Sequence, residues 1–347
     1  MGDVDKSMHM TDPSAWERLS PNPKNSGRYK LGGMTLSTVP MIDIGPFIAG
    51  TPTGRAAVVQ QVGAACAEIG FFIIVGHGVP DDLLGQTANS ARRFFDLPID
   101  EKLKVRVNAI GAGYVPIKTE ALAASLGQKT PGDLKESFNI GRDFAANPWP
   151  GDPADLKDTW MRYFSTLDAL GDTLMRIFAL ALNLPENYFD AALNPTNSFL
   201  RAINYPAPQE EPLPDQLRAG AHSDYGTLTI LLPENVAGGL QVLDKAGAWI
   251  DIVSPPKSFV VNIGDMMQVW TNDRWRSTVH RVVNPPSDKR LNSRRQSLVF
   301  FHTPNENALV SCLESCTDAI HPPKYAPILA GEHLRQKSAK AGTLAKS

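Results

Sequence analysis

Cysteine is scarce in this chain. Its 347 residues include three, Cys66, Cys312 and Cys316, an odd number and too few for the disulfide framework of a small secreted fold. Only Cys312 and Cys316 lie close together, which speaks against a cysteine-based zinc site. An excess of one charge is missing as well. The 34 Lys and Arg residues against 36 Asp and Glu leave a formal net charge of −2, so a nucleic acid is not expected as partner. The longest strongly apolar run, Phe71 to Val75, falls far short of the roughly 20 residues that span a bilayer, and no membrane association is expected. The first residues, Met1-Gly2-Asp3-Val4-Asp5, are acidic where a secretory signal is basic and then apolar. No internal repeat or low-complexity tract is visible. These absences leave a globular cytoplasmic protein, long enough to bury a sizeable core unaided.

The pattern changes along the chain. Residues 1–38 have little periodicity and many Pro, Gly, Asn and Ser residues, and read as a loosely held N-terminal arm. Helical spacing dominates residues 39–190. Val59, Val62, Cys66 and Ile69 recur at three- and four-residue steps until Gly70 stops the run. The clearest stripe starts near Asp155, runs through Trp160, Phe164, Leu167 and Leu174 to Phe178, and is closed by Pro185. Such stripes, together with Tyr114, Phe138, Trp270 and Trp275, read as core before they read as cofactor or substrate contacts. Over 191–310 short β-rich runs alternate with Gly and Pro breakers. They include Phe199 to Asn204, Thr227 to Leu232, Ser258 to Ile263, Ser277 to Val283 and Gln296 to His302. Helices first and strands later argue against a doubly wound parallel sheet. The expected fold is α+β, one compact unit with a double-sheet β core and helices along one side. Residues 311–347 form a C-terminal tail that ends polar and Lys-rich, with a short helix expected from about Pro327 to Lys337 as a lid and a disordered end.

Chemistry is concentrated in two places. In Ala221-His222-Ser223-Asp224-Tyr225-Gly226, a strand would turn His222 and Asp224 to one face. His280, 56 residues beyond Asp224, is the best third ligand. Two histidines and a carboxylate on one face of a metal leave open positions, the arrangement of non-haem Fe(II) oxygenases. Taken alone, a His-x-Asp pair is common and more often marks a surface or hydrogen-bonded histidine. The second place is Arg295-Gln296-Ser297, where Arg295 and Ser297 share a face. A guanidinium beside a hydroxyl suits a carboxylate; equally, Arg295 could be an edge residue in the basic run Arg290 to Arg295 reaching solvent.

Over residues 40–305 the chain resembles the Fe(II)/2-oxoglutarate-dependent dioxygenases of the isopenicillin N synthase-like superfamily. The likeness rests on the order and spacing of many short pieces. They include Val39-Pro40-Met41-Ile42-Asp43-Ile44, Gly70-Phe71-Phe72, Gly76-His77-Gly78-Val79, Lys135-Glu136-Ser137-Phe138, Asn204-Tyr205-Pro206, the segment His222 to Thr229, Gly238-Gly239-Leu240-Gln241-Val242, Val261-Asn262-Ile263-Gly264-Asp265, Ser277 to Val282 and Arg295-Gln296-Ser297.

The resemblance implies a distorted double-stranded β-helix, or jelly roll. It implies His222, Asp224 and His280 as Fe(II) ligands, with no catalytic residue beyond them. Arg295 and Ser297 would clamp the distal carboxylate of 2-oxoglutarate, and Tyr205 would hydrogen-bond it. His77 reads as a turn-fixing residue. The implied activity is hydroxylation or desaturation of a small molecule by O2, with release of succinate and CO2, ascorbate in support, and a monomeric enzyme. Two alternatives stay open: an Fe(II) oxidase of the same superfamily that does not use 2-oxoglutarate, and a non-catalytic binding protein on the same fold. His280 and Arg295 stand 15 residues apart, more than is usual in the family. The extra length, Pro285 to Ser293, reads as an extended hairpin loop, and Arg294 competes with Arg295 for the clamp.

Overall fold

Alternation along the strands decides where the apolar residues go. In the run Phe71-Phe72-Ile73-Ile74, Phe72 and Ile74 join one core cluster, Phe71 and Ile73 another, and all four are buried. A strand buried on both faces needs a layer on each side. The computed structural model shows both layers and describes residues 28–31, 34–37 and 39–341. The rest of the expected 1–38 arm, and the end of the tail from 342, lie outside the described residues.

The chain falls into two units, one ending at Thr38 and the other running Val39–Ser347. In the first, Arg28–Leu31 (β1) and Met34–Ser37 (β2) pair as an antiparallel hairpin, an element that the low periodicity there does not predict.

The second unit opens with Met41–Asp43 (β3), Gly45–Ile48 (α1) and Pro52–Glu68 (α2). Pro52 suits the first turn of α2, where its missing N–H is not needed. Gly70 ends the run at φ +70°, and a Cβ there would meet the Arg276 carbonyl oxygen at 2.0 Å. Then come Phe71–Val75 (β4), Asp81–Phe95 (α3), Ile99–Leu103 (α4), Gly113–Val115 (β5) and Glu136–Gly141 (β6). Asp81 and Asp82 open α3 while Arg92 and Arg93 close it, both matching the helix dipole. The aromatic stripe forms Leu156–Ala181 (α5), which buries Trp160, Phe164 and Phe178.

The β-rich half supplies Phe199–Tyr205 (β7), Ala219–His222 (β8), Leu228–Pro233 (β9), Leu240–Leu243 (β10), Trp249–Asp251 (β11) and Phe259–Ile263 (β12). It continues with Asp265–Trp270 (α6), His280–Val282 (β13) and Arg295–His302 (β14). Leu309–Val310 (β15) and Ile328–Leu329 (β16) pair with each other, and Ala330–Ala341 (α7) closes the described chain.

One sheet has eight strands in the order β3-β4-β12-β9-β14-β7-β6-β5, the other four in the order β11-β10-β13-β8. Neighbours are antiparallel except β3 and β4. This is the double-sheet α+β core of a double-stranded β-helix. Side chains of the larger sheet divide between two cores. Leu228, Ile230, Leu298 and Phe300 pack with α3 and α5 residues, whereas Leu231, Val299 and Ile203 pack with Val242 and Val282 of the smaller sheet. Tyr114, Phe138, Trp270 and Trp275 belong to the helix-side core, as expected of them. No described helix is long and apolar enough to cross a membrane.

Two expectations need correction. The segment from Pro285 to Ser293 is not a hairpin loop, because β13 and β14 lie in different sheets. It is a crossover with a short 3-10 turn, Ser287–Asn292. The buried Arg218 pins it, donating through Nη2 to Ser293 Oγ at 2.8 Å and through Nη1 to the carbonyls of Ala237 and Gly238 at 2.9 and 3.0 Å. The tail helix is displaced from the expected span and runs Ala330–Ala341.

Candidate metal and co-substrate site

The inner face of the two sheets encloses a cavity of about 420 Å3. His222, Asp224, His280, Tyr205, Arg295 and Ser297 all line it. Strand register brings the histidines together: His280 on β13 stands opposite His222 at the end of β8, with ring centres 4.4 Å apart. Asp224 arrives differently from the strand alternation expected for it. β8 stops at His222, and Asp224 sits in the loop beyond. Backbone bonds fix that loop. Asp265 N–H donates to the Asp224 carbonyl at 2.8 Å, and Gly264 N–H to the Thr227 carbonyl at 2.8 Å. Gly264 permits this approach, since a Cβ would meet the Gly226 carbonyl oxygen at 2.3 Å.

One donor atom from each of the three residues lies within 4.8 Å of the others. Asp224 Oδ1 is 3.9 Å from His222 Nε2 and 3.8 Å from His280 Nε2. Neighbours orient each donor. His222 Nδ1 bonds the Gly220 carbonyl at 2.7 Å and His280 Nδ1 the Thr278 carbonyl at 3.1 Å. A carbonyl only accepts, so Nδ1 carries the proton and Nε2 keeps its lone pair free. Asp224 Oδ2 accepts from Thr229 Oγ1 and from Asn262 Nδ2, each at 2.7 Å, which leaves Oδ1 toward the histidines. Burial and the neighbouring His280 push the His222 imidazole well below its ordinary pKa. Burial opposes ionisation of Asp224, but the two histidines and the two hydrogen bonds outweigh it and hold the carboxyl low. Two neutral imidazoles and one carboxylate are a donor set fit for a divalent iron with open positions.

The second group lies on β14 and β7. Arg295 on β14 stands opposite Tyr205 on β7, and its guanidinium carbon is 5.2 Å from the Tyr205 ring centre. Arg295 is 2 % exposed. Its Nε donates to the Glu234 carbonyl at 3.0 Å, but Nη1 is buried without a partner, and so is Ser297 Oγ. Two buried orphan donors side by side are what a carboxylate needs and what an empty apolar strand would avoid. Gln296 turns away and donates to the Ala88 carbonyl at 2.9 Å. Arg294 also turns away, pairing with Asp96 at 2.5 Å and Asn204 at 3.0 Å, and does not line the cavity. His77 braces a turn as expected, with Nε2 at 2.9 Å from the Lys257 carbonyl and Nδ1 accepting from Val79 N–H at 3.1 Å.

Sequence reading missed the supports. Thr229 and Asn262 stand inside the quoted motifs, but only the β9–β12 register, which pairs them, brings both to Asp224. Glu234, which braces Arg295, carried no signal. Leu334 and Ser338 of α7 also reach the cavity.

Comparison with known proteins bears on this arrangement. Residues 39–162 match the family described as non-haem dioxygenase in morphine synthesis, N-terminal, and residues 196–304 match the 2OG-Fe(II) oxygenase superfamily. The 2-oxoglutarate-Fe(II) type oxidoreductase hxnY of Emericella nidulans is 32 % identical over 323 residues, covering 87 % of this chain and 90 % of that protein. Homoarginine-6-hydroxylase 2-ODD-C23.2 of Arabidopsis thaliana is 31 % identical, covering 87 % of this chain and 88 % of its own. Among solved structures, a full-length Neurospora crassa protein in complex with alpha-KG superposes with a TM-score of 0.80 at 31 % identity, over 90 % of this chain and 99 % of that one. The same protein with alpha-KG and thymine gives 0.79 at 31 % identity, over 91 % and 99 %.

Proposed function

The chain belongs to the 2-oxoglutarate–Fe(II) oxygenase superfamily and is a 2-oxoglutarate-dependent oxygenase; from that premise we propose that His222, Asp224 and His280 hold its Fe(II), and that Arg295, Ser297 and Tyr205 hold the 2-oxoglutarate. The observation that carries the second assignment is the pair of buried donors without partners, Arg295 Nη1 and Ser297 Oγ.

When bound, iron and 2-oxoglutarate supply an O2-dependent oxidation that yields succinate and CO2 and adds oxygen to the substrate or removes two hydrogens from it. The residues of this chain supply position. Gly220 and Thr278 carbonyls fix the two imidazoles, and Thr229 and Asn262 fix the carboxylate. Tyr205 and Arg295 stand opposite each other on β7 and β14 and would hold the co-substrate with Ser297. O2 is the oxidant, and ascorbate keeps the metal reduced. A cavity of about 420 Å3 supports a small-molecule substrate. Three free cysteines support a reducing compartment such as the cytoplasm.

We assign α7 as a cover for the cavity. Leu334 and Ser338 line it, and Lys337 Nζ lies 2.5 Å from Asp265 Oδ2, next to the loop that carries Asp224. Removing residues 330–347 should keep iron binding and raise the succinate formed per substrate oxidised, because an uncovered site admits water. Unchanged coupling would refute the cover.

Named relatives bear different substrates in their names, so the substrate itself is found by screening. The protein with Fe(II), ascorbate and 2-oxoglutarate is offered small molecules, and mass spectrometry follows gain of one oxygen or loss of two hydrogens. Product with stoichiometric succinate is expected. Product formed equally well without 2-oxoglutarate would overturn the reading.

A further inference from the structure

Four polar side chains used by neither the metal triad nor the co-substrate clamp meet on one wall of the cavity: Glu120, Lys135, Asn139 and Arg201. Strand register assembles them. Asn139 on β6 stands opposite Arg201 on β7. Arg201 shares the inward face of β7 with Tyr205 four residues on, which puts it ~13 Å along the strand from the clamp at ~3.3 Å per residue. The group adjoins the metal triad, since both Glu120 and Lys135 act electrostatically on His222.

The charges in this wall are not equally satisfied. Lys135 Nζ donates to Glu120 Oε2. It also acts on the buried Asp133, whose carboxylate accepts from the Leu122 and Gly220 N–H groups at 3.2 and 3.0 Å. Lys135 is therefore already paired with Glu120. Burial opposes ionisation of Glu120, yet Arg201 and Lys135 beside it hold its carboxyl down to about 2. Arg201 is fixed on two sides only, by Nε to Asn139 Oδ1 at 2.9 Å and Nη1 to Glu120 Oε2 at 3.3 Å. Among the described residues its Nη2 has no hydrogen-bond partner, and the side chain lines the cavity. Beyond it, Phe199 and Phe301 stack with ring centres 4.5 Å apart, both lining the cavity, and the Arg201 guanidinium lies 5.9 Å from the Phe199 ring centre.

Placing an ion cluster in a cavity wall is unfavourable unless something completes it. A guanidinium held in one orientation with a free nitrogen suits an anionic oxygen, and the aromatic surface next to it suits an apolar tail. We propose that Arg201 is the substrate-binding residue that takes the carboxylate of a small organic acid, with the acid's tail along Phe199 and Phe301. The proposal rests on the site assignment above and names the substrate class for it.

The test uses the full chain loaded with Mn(II) and saturating 2-oxoglutarate. Calorimetric titration with benzoate, phenylacetate, phenylpropionate and hexanoate is compared with titration by the matching primary amides. At least one acid should bind tenfold or more tightly than its amide without displacing 2-oxoglutarate. Arg201→Gln should bring that ratio within twofold, and Arg201→Lys should restore part of it. The 2-oxoglutarate affinity of each variant, measured in the same preparation, reports whether the fold survives. Acids that bind no better than amides, acids that only compete with 2-oxoglutarate, or a preference unchanged in Arg201→Gln would each overturn the proposal. Loss of 2-oxoglutarate binding in the unaltered protein would instead overturn the underlying site assignment.

Discussion

The two faces of β14 are built from the same eight residues and treat polar atoms differently. On the helix side, Leu298 and Phe300 pack beneath α3 and α5, and His302 is held by Thr227 at 3.0 Å. Arg294, at the strand's threshold on that side, has Asp96 and Asn204 as partners. On the cavity side two donors, Arg295 Nη1 and Ser297 Oγ, are buried with nothing to bind among the described residues, whereas on the helix side Gln296 leaves an acceptor, Oε1, unpaired while its Nε2 donates to the Ala88 carbonyl. A fold that can pair Arg294 could pair Arg295. Leaving the inner donors open is unfavourable for the folded chain alone and becomes favourable when a carboxylate arrives. On the proposed assignment the outer face maintains the structure and the inner face is completed by ligand.

This contrast can be broken from either side. The largest effect is expected on the inner side, where Asp224→Ala should abolish iron retention and reduce substrate-dependent succinate formation to background. Its melting temperature should change little, because Asp224 lines a cavity rather than a core. Full iron binding in this variant, measured by metal analysis after desalting, would refute the ligand assignment. The opposite pattern is expected for Phe300→Ala on the outer side. Phe300 is fully buried, 5.1 Å from the Phe164 ring centre, and its truncation should lower stability by ~3–5 kcal/mol in urea titration. The fraction that remains folded should keep its 2-oxoglutarate affinity within about twofold. A smaller effect tests the supports: Thr229→Val removes one hydrogen bond on Asp224 Oδ2 and should weaken iron binding by ~10- to 100-fold with the ligands intact. Unchanged metal affinity would leave Asn262 as the sole brace.

What the sequence made legible follows the same division. Helix stripes such as Trp160 to Phe178 and the buried run Phe71 to Ile74 announce themselves because burial is periodic. The proposed ligand residues His222, Asp224, His280, Arg295, Ser297 and Tyr205 stand out through motif order, and all line one cavity. The geometry behind them was less so. Strand alternation does not deliver Asp224; a loop pinned by Asp265 and Gly264 does. The segment from Pro285 to Ser293 reads as a hairpin until the sheet order shows β13 and β14 apart. Short strands such as β3, β5 and β8 carry too few residues for a period, and the hairpin β1–β2 has little apolar pattern. Glu120, Lys135 and Arg201 come from three separate segments, so nothing local marks them as one group.

The pairing of adjacent arginines gives the most direct test of the account. Arg295→Lys keeps the charge and loses the guanidinium fork; Arg294→Lys makes the same change one residue away, on the outer face. Anaerobic titration of each Fe(II)-loaded variant with 2-oxoglutarate, followed by the visible charge-transfer band, measures the affinity. Arg295→Lys should weaken 2-oxoglutarate binding by ~1.5–3 kcal/mol, and Arg294→Lys should leave it unchanged. Equal affinities in the two variants, or the larger loss in Arg294→Lys, would contradict the division of β14 into a structural face and a ligand-completed one.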